Sequence, residues 1–284
     1  MKIVLAGASG NLGLALTQSL LTDGHAVVAL DANIQRLEPL RDRLAGLHAL
    51  DLRRADSLQG IMTGADIAIT TVGIGRPKKL SDYQQVDYQA NLNLLNAAQS
   101  GGVRRFIYTS VVRADSDLSV PLLKAKYAFE VALKKSPLQW LIIRPSGYFT
   151  DIWRTFMGQA QKGRITLIRT ARPFRFSPIH PDDVASFVAR NLDLAGQSVM
   201  LGGPQDFTYA EISQLCFELL DKPAQIRATP LPVFNLLLAV LRLVNPPVYG
   251  VMSFLRWAST TDLTAPHVGT RPIREYLLEQ LNNQ

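Results

Sequence analysis

Three glycines near the start of the chain have the residue type and the spacing that bind a phosphate group. Gly7, Gly10 and Gly13 follow the apolar run 2–5, typical of a buried strand, and open a stretch with leucines at helical spacing. Gly7 permits a sharp turn, Gly10 lets a pyrophosphate approach the backbone, and Gly13 allows close packing of helix on sheet. The unpaired amides that begin such a helix favour an anion. The pattern predicts a site for dinucleotide phosphates; the alternative is a glycine-rich turn without a ligand.

The second predicted strand, 25–30, ends at an acidic residue that suits the ribose of the same ligand. Asp31 lies eighteen residues after Gly13, and an acid about twenty residues beyond the glycines accepts hydrogen bonds from the adenosine ribose. A carboxylate repels a 2′-phosphate, so Asp31 favours NAD over NADP. Arg36 and Arg41 instead favour NADP, because an arginine accommodates the 2′-phosphate. The alternative role for Asp31 is a helix N-cap.

The elements that must position these residues are strands and helices that alternate along the first half of the chain. Apolar runs typical of strands lie at 2–5, 25–30, 47–50, 65–72, 105–110 and 138–143. Helical patterns occupy 57–63, 86–100 and 122–134. The fourth strand leads into Gly73, with Gly75 close behind, and backbone at such a strand end suits a flat cofactor. The alternation predicts an α/β fold built on a doubly wound parallel sheet.

The alternation loosens in the second half of the chain. We predict a dinucleotide-binding core at 1–150 and a mixed C-terminal part at 151–284. The latter contributes a late strand and helix, about 176–201, to the core and forms a substrate or cap region. A helix beginning near Thr208 is expected to carry a capping box, because Glu211 follows three residues later.

Composition narrows the function classes. The chain has 284 residues, 47% of them hydrophobic, which is enough for a sizeable core. Cys216 is the single cysteine, so no internal disulfide forms and a reducing, cytoplasmic location is expected, without a signal or transit peptide. The net charge is +7, but the basic residues are scattered without a recognition motif. We therefore expect no nucleic-acid partner and predict no metal site.

The most apolar region of the chain is 232–257. Its longest apolar run is about half the length of a membrane helix, and Arg242 and the prolines 246 and 247 interrupt it. We therefore expect no membrane span. A buried or cap helix is the first interpretation, and contact with a membrane surface, a partner or a second copy in a homo-oligomer is the alternative.

Several motifs in order resemble those of the short-chain dehydrogenase/reductase superfamily, on its extended or atypical branch. Within it the chain is similar to NmrA-like and NAD(P)-dependent epimerase/dehydratase-type proteins. The matching motifs are GASGNLG at 7–13, DLRRADSLQGIMTGAD at 51–66, TVG at 71–73, GGVRRFIYTS at 101–110, KYAFE at 126–130, IIRPSGYF at 142–149 and PIHPDDVA at 178–185. They extend to roughly residue 200. The resemblance implies a Rossmann fold and an NAD(P) cofactor.

The resemblance also implies roles for individual residues. Those expected at the dinucleotide phosphates are Gly7, Ser9, Gly10, Asn11, Leu12 and Gly13. Those expected along the rest of the cofactor are Asp31 at the adenosine ribose, Asp51 and Leu52 at the adenine, Thr71, Val72 and Gly73 at the middle, and Lys126 and Pro145 at the nicotinamide end. An ordinary exposed lysine is the alternative for Lys126.

The catalytic pair of the family is incomplete in this sequence. The family's chemistry uses a tyrosine four residues before a lysine, so that the lysine lowers the phenol's pKa for proton transfer. Four residues before Lys126 the chain has Leu122. Tyr148 is a candidate replacement phenol, or else a packing residue, and Tyr83 on the predicted loop 78–83 is a weaker candidate. His180 is interpreted as a structural histidine.

Three functions follow as hypotheses. The first is an NAD(P)-dependent oxidoreductase that acts on an unidentified small molecule with a non-standard proton donor. The second is a non-catalytic dinucleotide sensor of the NmrA-like kind, with a partner contact through 232–257. The third is a sugar-nucleotide epimerase or dehydratase, which the missing tyrosine disfavours because that chemistry depends on proton abstraction.

Overall fold

The fold is organised by a seven-stranded sheet, described in a computed structural model that covers residues 1–283. Within these described residues the strands are β1 Lys2–Ala6, β2 Ala26–Asp31, β3 Gly46–Ala49, β4 Ile67–Thr70, β5 Arg105–Thr109, β6 Gln139–Pro145, β7 Ile165–Arg169, β8 Arg175–Phe176, β9 Gln197–Leu201, β10 Phe207–Thr208 and β11 Ile226–Pro230. The sheet order is β3-β2-β1-β4-β5-β6-β9. Pairing is parallel from β3 through β6. The predicted α/β, doubly wound class is confirmed.

Helices connect the strands. In the part of the chain that the structure describes, the α-helices are α1 Asn11–Thr22, α2 Asn91–Ser100, α3 Pro121–Lys134, α4 Phe149–Ile152, α5 Gly158–Gln161, α6 Pro181–Arg190, α7 Tyr209–Leu219, α8 Leu231–Val244, α9 Pro246–Ser259 and α10 Ile273–Asn282. Short 3₁₀ segments lie at Gln35–Arg43 and Ala55–Leu58, and π-helical segments at Tyr83–Ala90 and Trp153–Met157. The predicted capping box of α7 is confirmed, with Thr208 and Glu211 bonded reciprocally.

The central strands are buried on both faces, as expected for a parallel sheet with helices on either side. Ile3, Val4 and Leu5 of β1 are inaccessible to solvent. Strand β1 sits between β2 and β4, with Ala6 aligned with Leu30 on one side and with Thr70 on the other. The register therefore brings the turns that follow β1, β2 and β4 to one edge of the sheet, where ligands bind in such folds.

Two local predictions are corrected. The predicted polar helix 57–63 is a 3₁₀ turn, Ala55–Leu58, followed by turns; Gly60 and Gly64 both have positive φ, which stops a helix there. The predicted loop 78–83 ends inside a helix, because Tyr83 begins the π-helical segment that continues into α2. Tyr83 is 2% exposed, so it does not lie on a loop that closes over a site.

The apolar region 232–257 forms two helices, α8 and α9, which pack against each other. Asn245 separates them and caps α9 by accepting a hydrogen bond from the amide of Val248. Prolines 246 and 247 occupy the first turn of α9, where a missing amide costs nothing. Among residues 1–283, no helix combines the length and apolar character needed to cross a bilayer.

The described chain divides into two compact units. One contains residues 1–144 and 184–199, and the other contains 145–183 and the chain from 200 onward. The first unit holds the glycine turn and most of the parallel sheet. The second holds the small β7–β11 and β8–β10 sheets and helices α7 to α10. The domain division drawn from the sequence, 1–150 and 151–284, stays a prediction.

Candidate functional site

The turn between β1 and α1 is shaped by its glycines. Gly7 has a φ of +76°, a conformation that favours glycine, and its amide donates to the carbonyl of Leu30 on β2. Gly10 is the N-cap of α1 and has no side chain to satisfy the first helical amides. The amides of Asn11, Leu12 and Gly13 therefore begin the helix without a side-chain cap, which is the arrangement that holds an anion.

Close backbone approach explains why two positions in this turn require glycine. A Cβ on Gly13 would lie 2.0 Å from the carbonyl oxygen of Gly7, and a Cβ on Gly7 would lie 2.6 Å from Oγ1 of Thr71. The Thr71 hydroxyl donates a 3.0 Å hydrogen bond to the Gly7 carbonyl. The turn after β4 is thus fastened to the turn after β1. A methyl group at Gly7 would separate the two turns, and one at Gly13 would push α1 away from the backbone of its own turn.

Asp31 ends β2 beside the glycine turn. Its Oδ2 accepts a 3.0 Å hydrogen bond from the amide of Ser9, and its Oδ1 accepts a 3.3 Å bond from the amide of Asn33. The Arg36 guanidinium reaches back to the same turn, donating to the Ser9 carbonyl at 2.8 Å and to Oδ1 of Asn11 at 3.1 Å. Both the carboxylate that favours NAD and the arginine that tolerates NADP therefore contact the phosphate turn.

A cavity of about 450 Å³ opens along this edge of the first unit, within the range of small-molecule and cofactor sites. Its lining residues are Gly7, Ser9, Gly10, Asp31, Ala32, Leu50, Asp51, Leu52, Arg53, Thr71, Val72, Gly73, Val86 and Ala90. Nine of these were expected from the sequence to contact a dinucleotide. Asn11, Leu12, Gly13, Lys126 and Pro145 do not line it.

The loop after β3 forms one wall of the cavity. Arg53 pairs with Asp51 at 2.7 Å, and its hydrogen bonds hold the pKa of the Asp51 carboxyl below the ordinary value. The amide side chain of Asn93 donates to the carbonyls of Leu52 and Arg53, both at 3.0 Å. Helix α2 therefore fixes the backbone of this loop, and Leu52, which is 8% exposed, supplies an apolar surface that suits a flat base.

Gly73 stands between the cavity and a buried ion pair. The Nζ of Lys126 on α3 lies 3.2 Å from Oδ1 of Asp87, and the two side chains are 12% and 0% exposed. A Cβ on Gly73 would lie 2.7 Å from Oδ1 of Asp87 and 3.0 Å from Nζ of Lys126. The amide of Ile74 donates to Oδ2 of Asp87 at 3.2 Å. Lys126 is thus a buried, fixed ammonium at the end of β4 and not an ordinary exposed lysine.

Burial and pairing set the protonation of this cluster. Burial raises the pKa of Asp87, and the charge of Lys126 offsets part of that increase. Burial alone would lower the pKa of Lys126, but Tyr108 and Asp87 together raise it above its ordinary value. Burial also raises the pKa of Tyr83 to about 12, with a further contribution from Asp87. Lys126 therefore stays protonated and Tyr83 stays neutral at physiological pH.

The buried amide side chain of Asn91 supports the strand end that faces the cavity. Its Oδ1 accepts a 2.7 Å hydrogen bond from the hydroxyl of Thr70, and its Nδ2 donates to the carbonyls of Val72 and Asp87 at 3.3 and 3.0 Å. Asn91 therefore links the π-helical segment to the backbone after β4. These hydrogen bonds fix the position of Asp87 relative to the backbone that leads into Gly73.

The expected proton donors have different surroundings. Leu122 is at the second position of α3, one turn before Lys126, so the usual phenol is absent there. Tyr148 belongs to the second unit; its hydroxyl is buried and makes no hydrogen bond within residues 1–283. Burial, with the charge of Asp151, raises the Tyr148 pKa. His180 packs between the rings of Phe149 and Tyr276, and burial lowers its pKa.

Three buried polar residues that support the site, Asp87, Asn91 and Asn93, were not identified from the sequence, and neither were five lining residues of the cavity, Ala32, Leu50, Arg53, Val86 and Ala90. Asp87 and Asn91 lie in a polar helical stretch where only the tertiary fold shows that they are buried. Asn93, on the next turn, is buried as well. Their available signal is spacing: positions 87 and 91 are one helical turn apart, on the face that also carries the buried Leu94 and Leu95.

The residues of this edge fit a dinucleotide. The glycine turn leaves no room for a Cβ at Gly13, and the first amides of α1 have no side-chain cap. The carboxylate of Asp31 lies at the end of β2. Apolar walls from Leu52 and Val72 alternate with these polar groups along the cavity. Such a combination matches two phosphates, a ribose and a flat base in series.

Comparison with known families and proteins agrees with the geometry. The profile of a family described as NAD(P)H-binding matches residues 7–194, about two thirds of the chain. The photosystem II assembly factor Ycf39 of Trieres chinensis is 26% identical over 239 residues, covering 83% of this chain and 74% of that protein. The chloroplastic divinyl chlorophyllide a 8-vinyl-reductase of Cucumis sativus is 24% identical over 269 residues, covering 84% and 62%.

Solved structures show the same fold over the whole chain. The Escherichia coli NADPH-dependent quinone oxidoreductase QOR2, complexed with NADPH, superimposes with a TM-score of 0.77 at 18% identity, covering 99% of this chain and 100% of that one.

Proposed function

We propose that this chain, which belongs to the NAD(P)H-binding family, is an NAD(P)H-dependent reductase of a small conjugated acceptor. The observation that carries the proposal is the Lys126–Asp87 pair behind Gly73. A sensor needs only a phosphate turn and a ribose-binding acid. A buried ammonium kept charged beside the end of β4 is suited to orienting the reactive end of the cofactor.

Different residues of the chain would bind different parts of the cofactor. The first amides of α1 would hold the pyrophosphate, Asp31 would accept from the adenosine ribose, and Lys126 would donate to the nicotinamide ribose. Asp87 keeps the ammonium in place, since its carboxylate is fixed by the amide of Ile74. When bound, the cofactor supplies a hydride, which is two electrons and one proton.

The second proton of the reduction must come from another group. Tyr148 is our candidate, because its phenol keeps its proton at physiological pH, although burial raises its pKa and so makes it a weak acid. Leu122 removes the phenol that normally protonates a carbonyl oxygen. An acceptor whose added charge spreads over a conjugated system, such as a quinone or an enone, depends less on a strong acid at that position. The names of the vinyl reductase and the quinone oxidoreductase agree with this acceptor class.

The test is a binding and turnover experiment on the purified chain. Fluorescence titration with NADH and NADPH measures affinity, and a panel containing a quinone, an enone and a simple ketone measures oxidation of the bound cofactor. We expect binding of at least one cofactor, and turnover with the conjugated acceptors that exceeds turnover with the ketone. Binding without oxidation by any acceptor contradicts the reductase proposal.

A second candidate function is a non-catalytic, NmrA-like dinucleotide-binding role that biases a partner interaction. Two observations favour it: Leu122 occupies the position of the usual phenol, and the 26%-identical relative is named an assembly factor. This role predicts that NAD(P)H binding changes the affinity for a partner while the cofactor stays unoxidised. The acceptor panel therefore separates the two functions.

A further inference from the structure

Helix α8 carries an apolar stripe on its solvent side. Of the thirteen large apolar side chains exposed in residues 1–283, nine lie between Val233 and Leu255. Those on α8 recur every three or four residues, which places them on one face of the helix: Val233 at 55% exposed, Leu236 at 68%, Leu237 at 43%, Val240 at 49%, Leu243 at 83% and Val244 at 71%. Scattered single apolar residues are ordinary on a surface, but a continuous stripe of this kind marks a contact site.

The stripe is not the inner face of the helix. Phe234 and Leu238, at 5% and 8% exposed, are the α8 residues that pack inward. Helix α9 extends the apolar surface with Val248, Val251 and Leu255 at spacings of three and four, while its Trp257 is buried. We call the surface formed by these nine exposed side chains of α8 and α9 the apolar face. The second unit therefore has a satisfied core and an additional apolar surface.

The charged residues in the chain segments that form and flank the apolar face, 222–261 and 162–181, have a single sign. Residues 222–261 contain Lys222, Arg227, Arg242 and Arg256 and no acidic residue. Strand β11 in this stretch pairs with β7, so that Pro230 aligns with Arg169 at the start of α8. Residues 162–181, which include β7, contain five basic residues and again no acid. Within residues 1–283, Arg169, Arg227 and Arg242 are exposed and form no ion pair.

We propose that the apolar face docks on the surface of a lipid bilayer rich in anionic headgroups. Both helices have fourteen residues, about 21 Å at 1.5 Å per residue, too short to cross a hydrocarbon core of roughly 30 Å. They lie in the interface with the stripe below the headgroups and the unpaired arginines on the lipid phosphates. Binding of this kind grows with buried apolar area and with attraction to anionic lipid.

The positive charge of the apolar face's segments favours contact with an anionic bilayer over contact with a second copy of the chain. A two-fold contact through the apolar face would bring Arg242 and its neighbours toward their own copies, with no acidic residue in 222–261 to pair with them. Unrelieved like charges at a contact disfavour association. An anionic headgroup layer supplies the missing opposite charge over the whole face, and the arginine stems are long enough to reach it from the helix edge.

Vesicle sedimentation tests the proposal with the full chain. We expect binding to vesicles of phosphatidylcholine and phosphatidylglycerol at 3:1, at least tenfold tighter than to pure phosphatidylcholine, and weakened several-fold by 0.5 M salt. Leu236→Glu with Leu243→Glu should lower the affinity at least tenfold. Leu118→Glu is the matched control, since Leu118 is 46% exposed and lies outside the apolar face. It should bind like the unmodified chain, and circular dichroism should show that both variants fold.

Three results would overturn the proposal. One is absence of binding to the anionic vesicles. Another is equal binding by the Leu236→Glu, Leu243→Glu variant and the unmodified chain. The third is concentration-dependent dimerisation, seen by light scattering, that this variant abolishes while vesicle binding is absent, which would assign the apolar face to a second copy. Cofactor affinity is measured in parallel, so the result is independent of the proposed reductase activity.

Discussion

The Nζ of Lys126 lies 3.2 Å from a carboxylate, that of Asp87, which is fully buried behind Gly73. Each charge of a buried ion pair is stabilised by its partner more than by water. Removal of one charge therefore leaves the other buried without compensation. Asp87 therefore determines where the ammonium stands and keeps it charged. The pair connects α3, the π-helical segment and the end of β4, and it places a fixed cation beside Gly73.

Removing the buried carboxylate of Asp87 should lower the free energy of unfolding of the chain. Asp87→Asn leaves the Lys126 ammonium buried without its counter-charge, and we expect a loss of ~3–5 kcal/mol in the free energy of unfolding. Adding Lys126→Met to Asp87→Asn should recover part of that loss, because no buried charge remains. Urea denaturation of the single and double variants measures both values.

The matched control for this pair is an exposed one. Glu38 lies 2.8 Å from Arg41, with side chains 46% and 52% exposed, and Glu38→Gln should leave the free energy of unfolding nearly unchanged because solvent screens the pair. Equal losses for Asp87→Asn and Glu38→Gln would show that the buried pair has no special role.

Alkaline pH should weaken the contribution of Lys126 to stability. Its folded-state pKa is raised above the ordinary 10.5, so the folded state binds more protons than the unfolded state above that pH. The contribution is complete below about 10.5 and is lost as pH rises through the folded pKa. Between pH 9 and pH 11 the unmodified chain should lose about 1 kcal/mol relative to Lys126→Met. An unchanged difference between the two proteins would contradict the raised pKa.

A methyl group at Gly13 should abolish tight cofactor binding. The added Cβ would meet the Gly7 carbonyl at 2.0 Å, and the turn must shift to relieve that contact. We expect Gly13→Ala to weaken NAD(P)H binding at least tenfold and to cost ~1–3 kcal/mol of stability. Gly158→Ala is the control, because Gly158 is helical with open space around its Cβ, and it should leave both quantities nearly unchanged.

Asp31 should control the choice between the two cofactors. Its carboxylate accepts from the amide of Ser9 and repels a 2′-phosphate, whereas Arg36 contacts the same turn. Asp31→Asn should weaken NADH binding about tenfold, ~1.4 kcal/mol, and weaken NADPH less or not at all. Titration of both cofactors gives the ratio. A variant that loses both cofactors equally would place Asp31 in the structure of the turn and not in ribose recognition.

The sequence was sufficient for the fold and for the phosphate turn because their signals are local. Gly7, Gly10 and Gly13 sit between a strand and a helix, and each glycine has a steric reason that spacing alone conveys. Apolar runs located the main strands to within a few residues. The doubly wound class and the NAD(P)-binding family are both confirmed.

The rest depended on long-range packing. Asp87 reads as an ordinary polar helix residue, and only the packing of α3 on the π-helical segment brings Lys126, thirty-nine positions later, to its side. The contact of Arg36 with the glycine turn likewise needs the chain to return after β2. Helix α10 was not predicted from the sequence, and only Ile273 and Leu277 of its residues are buried.

Transfer of deuterium from the cofactor to an acceptor tests whether the chain catalyses reduction. The purified chain is loaded with NADH or NADPH deuterated at the transferable position and is mixed with the quinone or the enone. Mass spectrometry measures deuterium in the reduced enone. Oxidation of the cofactor measures the reaction with the quinone. We expect deuterium in the reduced enone and slower transfer in Lys126→Met and Tyr148→Phe. Bound cofactor that transfers no deuterium and is oxidised by no acceptor would contradict the reductase proposal.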